Sequence, residues 1–88
     1  MTFKATETFW RKFYDLPAAQ KQSVRTKWKV FHNDPFHRSL GTHKIHRLSA
    51  LAGHTIYSVV IENDLRATFR IDADVVTTLD IGTHDIYQ

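Results

Sequence analysis

Apolar residues recur with two different periods along the chain, and the change of period divides it. From Thr6 to Phe31 the spacing is helical. Thr6 is a candidate N-cap for a short helix that carries Phe9, Trp10, Phe13 and Tyr14 and ends near Leu16, since a threonine hydroxyl can accept a free backbone N–H of the first turn. Pro17 suits the first turn of a second helix. Within that helix Val24, Trp28 and Phe31 fall at i, i+4 and i+7 and form one apolar stripe. Lys21, Arg25, Lys27 and Lys29 lie mostly off it. Asn33-Asp34-Pro35 ends the helix, because Pro35 disfavours α geometry at Asp34. A loop then runs to Gly41.

Beyond Gly41 the period shortens to two. Thr42–Leu48 is a candidate strand with Gly53 in the turn after it. Ile56–Glu62, Leu65–Ile71 and Val75–Ile81 follow, rich in β-branched and aromatic residues. Met1–Lys4 is a candidate short N-terminal strand. The expected fold is α+β: two N-terminal helices packed on one face of an antiparallel meander sheet, as a single domain over residues 1–88.

The alternation also sets a register. Leu65, Ala67, Phe69 and Ile71 share one face with Tyr57, Val59 and Ile61, while Arg66, Thr68 and Arg70 point the other way. Matching faces across the hairpins predicts three-residue loops at Asn63-Asp64-Leu65 and Asp72-Ala73-Asp74. Glu62 and Asp80 then oppose Arg66, Ile71 opposes Val75, and Ala67 opposes Leu79. The segment after Ile81 emerges near Arg66, and the strand starting at His43 begins near Glu62. His43, Lys44, Arg66, His84 and Tyr87 are thereby expected to converge on one polar patch.

Composition narrows the class. Of 88 residues, 42% are hydrophobic and 24% charged, an ordinary globular balance that argues against disorder. There is no cysteine, which removes disulfides and thiolate-type zinc sites. No apolar run approaches the roughly 20 residues of a membrane span, and Met1–Thr6 lacks the apolar core of a signal peptide. A cytoplasmic protein is expected, with no membrane partner. The net charge of +3 conceals a split. Residues 1–47 hold ten Lys/Arg and three Asp/Glu, giving +7; residues 48–88 hold two and six, giving −4. A half-chain at +7 suits a polyanion or an acidic protein, or else a set of solvated helix faces.

The ordered residues Asn33-Asp34-Pro35, Leu40, His43-Lys44-Ile45, Tyr57-Ser58, Asp64 to Ile71 and Asp80 to Tyr87 resemble the RelE/ParE superfamily, the toxins of type II toxin–antitoxin modules. The resemblance spans nearly the whole chain. Its ending with His84 and Tyr87 is most similar to the histidine-dependent, YafQ-like mRNA interferase branch. That branch implies a ribosome-dependent endoribonuclease that cleaves mRNA and inhibits translation. It also implies mRNA and the ribosome (with its ribosomal RNA) as partners, and neutralisation by a cognate antitoxin. Two departures stand out. Ser58 and Val60 occupy a strand where the RelE-like branch places lysines, and no helix follows the tail.

The residue types suit metal-free RNA cleavage on their own chemistry. Such a reaction needs a base for the 2′-OH proton, an acid for the 5′-oxygen and cations around the phosphate. Histidine suits either proton role, and arginine suits the developing charge. The resemblance implies His84 as general acid, His43 as base, Arg66 on the scissile phosphate and Tyr87 as a stacking or hydrogen-bonding aromatic. Lys44, Arg47 and Arg70 are candidate substrate-binding cations. Lys21, Arg25, Lys27 and Lys29 are candidate contacts to ribosomal RNA. Each has a structural counterpart: a tail cap for His84, a backbone bond for His43, an ion pair with Asp80 or Glu62 for Arg66, a pair with Asp72 for Arg70, core packing for Tyr87. His43 and His46 fall on opposite strand faces, so neither a metal pair nor any cofactor is expected. His32, His37 and His54 read as surface histidines, and Trp10, Trp28 and Phe31 as core. The alternatives in function are a ParE-like, non-enzymatic inhibitor of DNA gyrase and an inactive relative that only binds its antitoxin.

Overall fold

Thr6 joins the first strand to the first helix. Its Oγ1 accepts a hydrogen bond from the Phe9 amide (3.1 Å) and donates one to the Leu79 carbonyl (2.7 Å), so one hydroxyl caps a helix and ties it to the far end of the chain. In the computed structural model, which describes residues 1–87, the elements run β1 (Thr2–Ala5), α1 (Glu7–Tyr14), α2 (Ala18–Asn33), a 3₁₀ turn (Arg38–Leu40), β2 (His43–Lys44), α3 (His46–Ala52), β3 (Tyr57–Glu62), β4 (Leu65–Asp72), β5 (Val75–Gly82) and a second 3₁₀ turn (His84–Tyr87). The sheet order is β1-β5-β4-β3-β2. β1 pairs parallel to β5, and all other pairs are antiparallel. The sheet is therefore mixed, with the expected meander at its centre and the N-terminal strand at one edge.

α1 lies on β5 and α2 on β3, and both bury their apolar stripes against one sheet face. Phe9, Phe31 and Leu40 meet Val59, Phe69, Val76 and Ile81 in a single cluster. Phe69 is 0% exposed, with its ring against Phe31, Phe36 and Tyr57. Trp28 packs on Phe9 and Phe31. Trp10 departs from the expected core, being 44% exposed on the outer side of α1.

Two expectations about the strands are corrected. The predicted strand Thr42–Leu48 is a strand only at His43–Lys44; from His46 the chain turns into α3. Arg47 to Ala52 are mostly good helix formers, and Gly53, at φ +75°, supplies the left-handed residue that closes the helix. No residue of α3 is buried. Its attachment is polar: the Ile45 amide donates to the Ile56 carbonyl, and the Ile56 amide donates to Ser49 Oγ at 2.8 Å.

The hairpin loops are also shorter than expected. Glu62 pairs with Leu65 and Asp72 with Val75, leaving two-residue turns at Asn63-Asp64 and Ala73-Asp74. Ala73 takes φ +52° in the second turn. A two-residue turn puts the faces out of step, and an extra residue in one strand restores them. The irregularities fall at Ile61 in β3 and at Leu79 in β5. Beyond them Val59 opposes Ala67, which opposes Ile81, and Arg66 opposes Gly82 rather than Asp80. Asp80 stands opposite Thr68.

Candidate functional site

The face of the sheet away from α1 and α2 carries a transverse polar row. His43 pairs with Ser58, Ser58 with Thr68, and Thr68 with Asp80. Directly paired residues share a face, so four strands contribute one side chain each. Arg66 stands on the same face of β4, two residues from Thr68. The 3₁₀ turn His84–Tyr87 packs over β4 and β5. Its Tyr87 hydroxyl reaches β3 and hydrogen-bonds the Ser58 hydroxyl. The His84 ring stands edge-on to Tyr87, with centroids 4.7 Å apart. Ser58 and Thr68 are 0% and 2% exposed, whereas His43 and His84 are exposed.

His43 is oriented by the backbone. Its Nδ1 lies 2.9 Å from the Gly41 carbonyl oxygen. A carbonyl only accepts, so Nδ1 carries the hydrogen, and the neutral ring keeps Nε2 as a free acceptor. Gly41 makes this possible by closing the first 3₁₀ turn at φ +56°; a Cβ there would stand 3.3 Å from Val60 Cγ2.

The carboxylates expected beside Arg66 are engaged elsewhere. Asp80 Oδ1 binds Lys12 Nζ at 2.8 Å and accepts from the Ile81 amide. Glu62 accepts from Ser23 on α2. Arg66 Nη1 donates to the Glu62 backbone carbonyl at 2.9 Å, a neutral partner. Among the described residues, no carboxylate lies within ion-pair distance of Arg66.

The remaining candidates separate. Lys44 pairs with Tyr57, so it leaves the opposite face from His43 and departs from the expected group. Arg47 lies exposed on α3. Arg70 sits at the far end of the open face, 3.0 Å from Asp72 Oδ2 through Nε, a charge contact without hydrogen-bond geometry. Its Nη1 lies 3.3 Å from His54 Nε2. On α2, Lys21, Arg25 and Lys29 follow each other at intervals of four residues and form one stripe. Arg25 stacks its guanidinium on Phe13, 5.8 Å from the ring centroid. Lys27 projects from another side and donates to the Ser39 carbonyl at 3.2 Å. His46 begins α3 instead of continuing a strand, so strand alternation does not govern its relation to His43. Among the described residues, no three histidine, aspartate or glutamate side chains gather to hold a metal ion. In the same set, no helix is long and apolar enough to cross a membrane.

A groove of about 500 Å³ lies elsewhere, between α1 and α2, lined by Phe9, Trp10, Phe13 and Trp28 and rimmed by Arg25, Lys29 and His32. It holds none of the paired acid–base groups of the open face. Ser58 was not singled out as a site residue from sequence. The signal was present: a lone serine amid Tyr57, Val59, Val60 and Ile61, where a β-branched residue would pack better.

No protein-family profile matches the sequence, and no characterised protein matches it at significance. Solved structures do match in fold. The archaeal RelE of the RelE–RelB complex from Pyrococcus horikoshii OT3 superposes with a TM-score of 0.71 at 15% identity, over 93% of this chain and 92% of that one. A YoeB/ParE toxin from Agrobacterium tumefaciens gives 0.74 at 12% identity, over 96% and 99%. YafQ from E. coli strain BL21(DE3) gives 0.67 at 13% identity, over 96% and 93%. At these identities the likeness is one of architecture, and the architecture is the RelE/ParE-like toxin fold.

Proposed function

We propose that this chain is the toxin of a type II toxin–antitoxin pair and acts as a ribosome-dependent endoribonuclease in the cytoplasm. The observation that carries the reading is the open-face row. On that face stand an imidazole with a free Nε2 and an arginine that, among the described residues, has no carboxylate partner, and a second imidazole packs on the tyrosine that hydrogen-bonds the row. In the proposed reaction His43 Nε2 takes the proton of a ribose 2′-OH and the freed oxygen attacks the adjacent phosphorus. His84, protonated, donates to the departing 5′-oxygen. The products are a 2′,3′-cyclic phosphate and a 5′-hydroxyl end, with no metal in the step. Arg66 offsets the charge that builds on the phosphoryl oxygens. The Tyr87 ring offers a face or an edge to a base.

The exposed surface supports a ribosomal partner. Lys21, Arg25 and Lys29 make a cationic stripe on the far side of the molecule from the row, suited to phosphates of ribosomal RNA. Lys27, held by Ser39, contributes less. The same cations suit an acidic antitoxin segment that folds as it binds, and the RelE neighbour was solved with RelB bound.

The test is a reconstituted translation reaction with purified protein, mapping mRNA ends by primer extension. Cleavage is expected with the wild type, and His84→Ala is expected to lose about 10²- to 10⁴-fold in rate while melting at the same temperature. Equal cleavage by a well-folded His84→Ala protein overturns the assignment of His84. Gyrase inhibition without any mRNA cleavage would favour the ParE-like reading instead.

A further inference from the structure

The open face contains a buried hydroxyl that the proposed reaction does not use. Ser58 is 0% exposed, in the middle of β3, with its side chain on the polar row. A serine there forgoes the packing of a β-branched residue and brings a polar group into a dry position. Left unpaired, a buried hydroxyl loses its hydration with nothing in return. Among the described residues its side-chain partner is the Tyr87 hydroxyl, 29 residues further along.

The tail needs such a partner. The turn His84–Tyr87 has four residues, none of them buried. Its other polar contacts are internal: the Asp85 amide on Thr83 Oγ1 and the Ile86 amide on the Thr83 carbonyl. Ile86 packs so closely on Gly82 that a Cβ at that glycine would meet its Cγ2 at 2.7 Å, but this apolar contact does not fix the direction of the tyrosine ring. Among the described residues, the Ser58–Tyr87 bond is the one side-chain hydrogen bond from the tail to the sheet. The His84 imidazole rests edge-on against that same ring.

We propose that Ser58 is a positioning residue: its buried hydroxyl fixes the Tyr87 phenol, and through the tyrosine ring it orients the His84 imidazole that packs against it. The inference deepens the ribonuclease reading and rests on it for its catalytic consequence. Its structural part, the ordering of the tail by Ser58, does not.

Two variants of the full chain test it from opposite sides. Ser58→Ala removes the hydroxyl from the sheet, and Tyr87→Phe removes it from the tail should the first variant fold poorly. NMR relaxation of backbone amides is expected to show residues 83–87 gaining mobility in either variant while β3, β4 and β5 stay as rigid as in the wild type. On programmed ribosomes the cleavage rate at saturation is expected to fall roughly tenfold, with the KM for ribosomes unchanged. The double variant should be no slower than the worse single one, because both remove the same bond. A tail as ordered in both variants as in the wild type overturns the proposal. So do losses that multiply in the double variant. A wild type that cleaves no RNA defeats the nuclease reading alone, since the relaxation experiment still decides what Ser58 holds.

Discussion

The two faces of the sheet differ in kind. The face under α1 and α2 is apolar and closed, with Phe9, Phe31, Phe69, Val76 and Ile81 almost wholly removed from water. The other face carries His43, Ser58, Thr68, Arg66 and Arg70 and is covered in part by a short 3₁₀ turn. Alternation along β4 divides the two roles residue by residue: Ala67 and Phe69 point into the core, and Arg66, Thr68 and Arg70 point away. Stability is concentrated on one side and candidate chemistry on the other. A side chain that serves proton transfer needs water and substrate, and a side chain that stabilises the fold needs neither.

The largest effect that would test this division comes from opposite faces of one strand. Phe69→Ala is expected to cost about 3–5 kcal/mol, since the ring is enclosed by three aromatic neighbours. At about 4–8 °C per kcal/mol for a domain of this size, the melting temperature should drop far enough to leave the variant largely unfolded at 37 °C. Arg66→Gln, three residues away on the open face, gives up only a partly exposed bond to a carbonyl. Its melting temperature should stay within a few degrees while RNA cleavage falls. Comparable thermal losses in the two variants would mean that the open face is structural after all.

A smaller effect sharpens the comparison from inside the core. Thr78 is the exception on the closed face: it is 1% exposed, it opposes Phe69, and its hydroxyl finds no partner among the described residues. Thr78→Val replaces that hydroxyl with a methyl of similar size and should raise stability by about 1 kcal/mol, read as a higher melting temperature with no change at the open-face row. A loss of stability would show that the hydroxyl is satisfied in solution.

The origin of Thr78 also shows how far the sequence can be read. Face parity required compensation somewhere in each hairpin, and two devices supply it equally: an odd loop, or a two-residue turn followed by a bulge. The apolar pattern distinguishes them poorly, because both place Ala67 and Phe69 inside. The bulges at Ile61 and Leu79 therefore escape a reading by alternation, and with them the true neighbours of Arg66. The helices were more legible, because Thr6, Pro17 and Pro35 punctuate them chemically. α3 was hidden for the opposite reason: it buries nothing, so it has no apolar stripe to read, and only the run Arg47 to Ala52 followed by Gly53 marked it. His43, Arg66, His84 and Tyr87 were expected near one another; the structure sets His43 and Arg66 on one sheet face, hydrogen-bonds Tyr87 to Ser58 between the strands that carry them, and packs His84 against the Tyr87 ring. Lys44 fell out of that group because adjacent strand residues face opposite ways, which a two-residue strand obeys as strictly as a long one.

The smallest expected effect lies at the boundary of the closed side. His32 ends the α2 stripe against Phe3, 4.4 Å between ring centroids, and near Trp28 at 5.6 Å. Partial burial there disfavours the imidazolium and lowers the pKa of His32 below its ordinary 6.5. The sign of the pH effect follows. In the unfolded chain the ring takes up its proton as pH falls through 6.5, while the folded protein resists it until lower pH. Between those two values the unfolded state binds more protons, so this residue makes stability decline as the solution is acidified and contributes no pH dependence near pH 7.5. His32→Gln should remove that share. Melting curves taken from pH 7.5 down to 5 should converge towards the wild type's at the acid end. If wild type and variant keep a constant separation across the range, the ring is fully hydrated and the aromatic wall beside it has no electrostatic consequence.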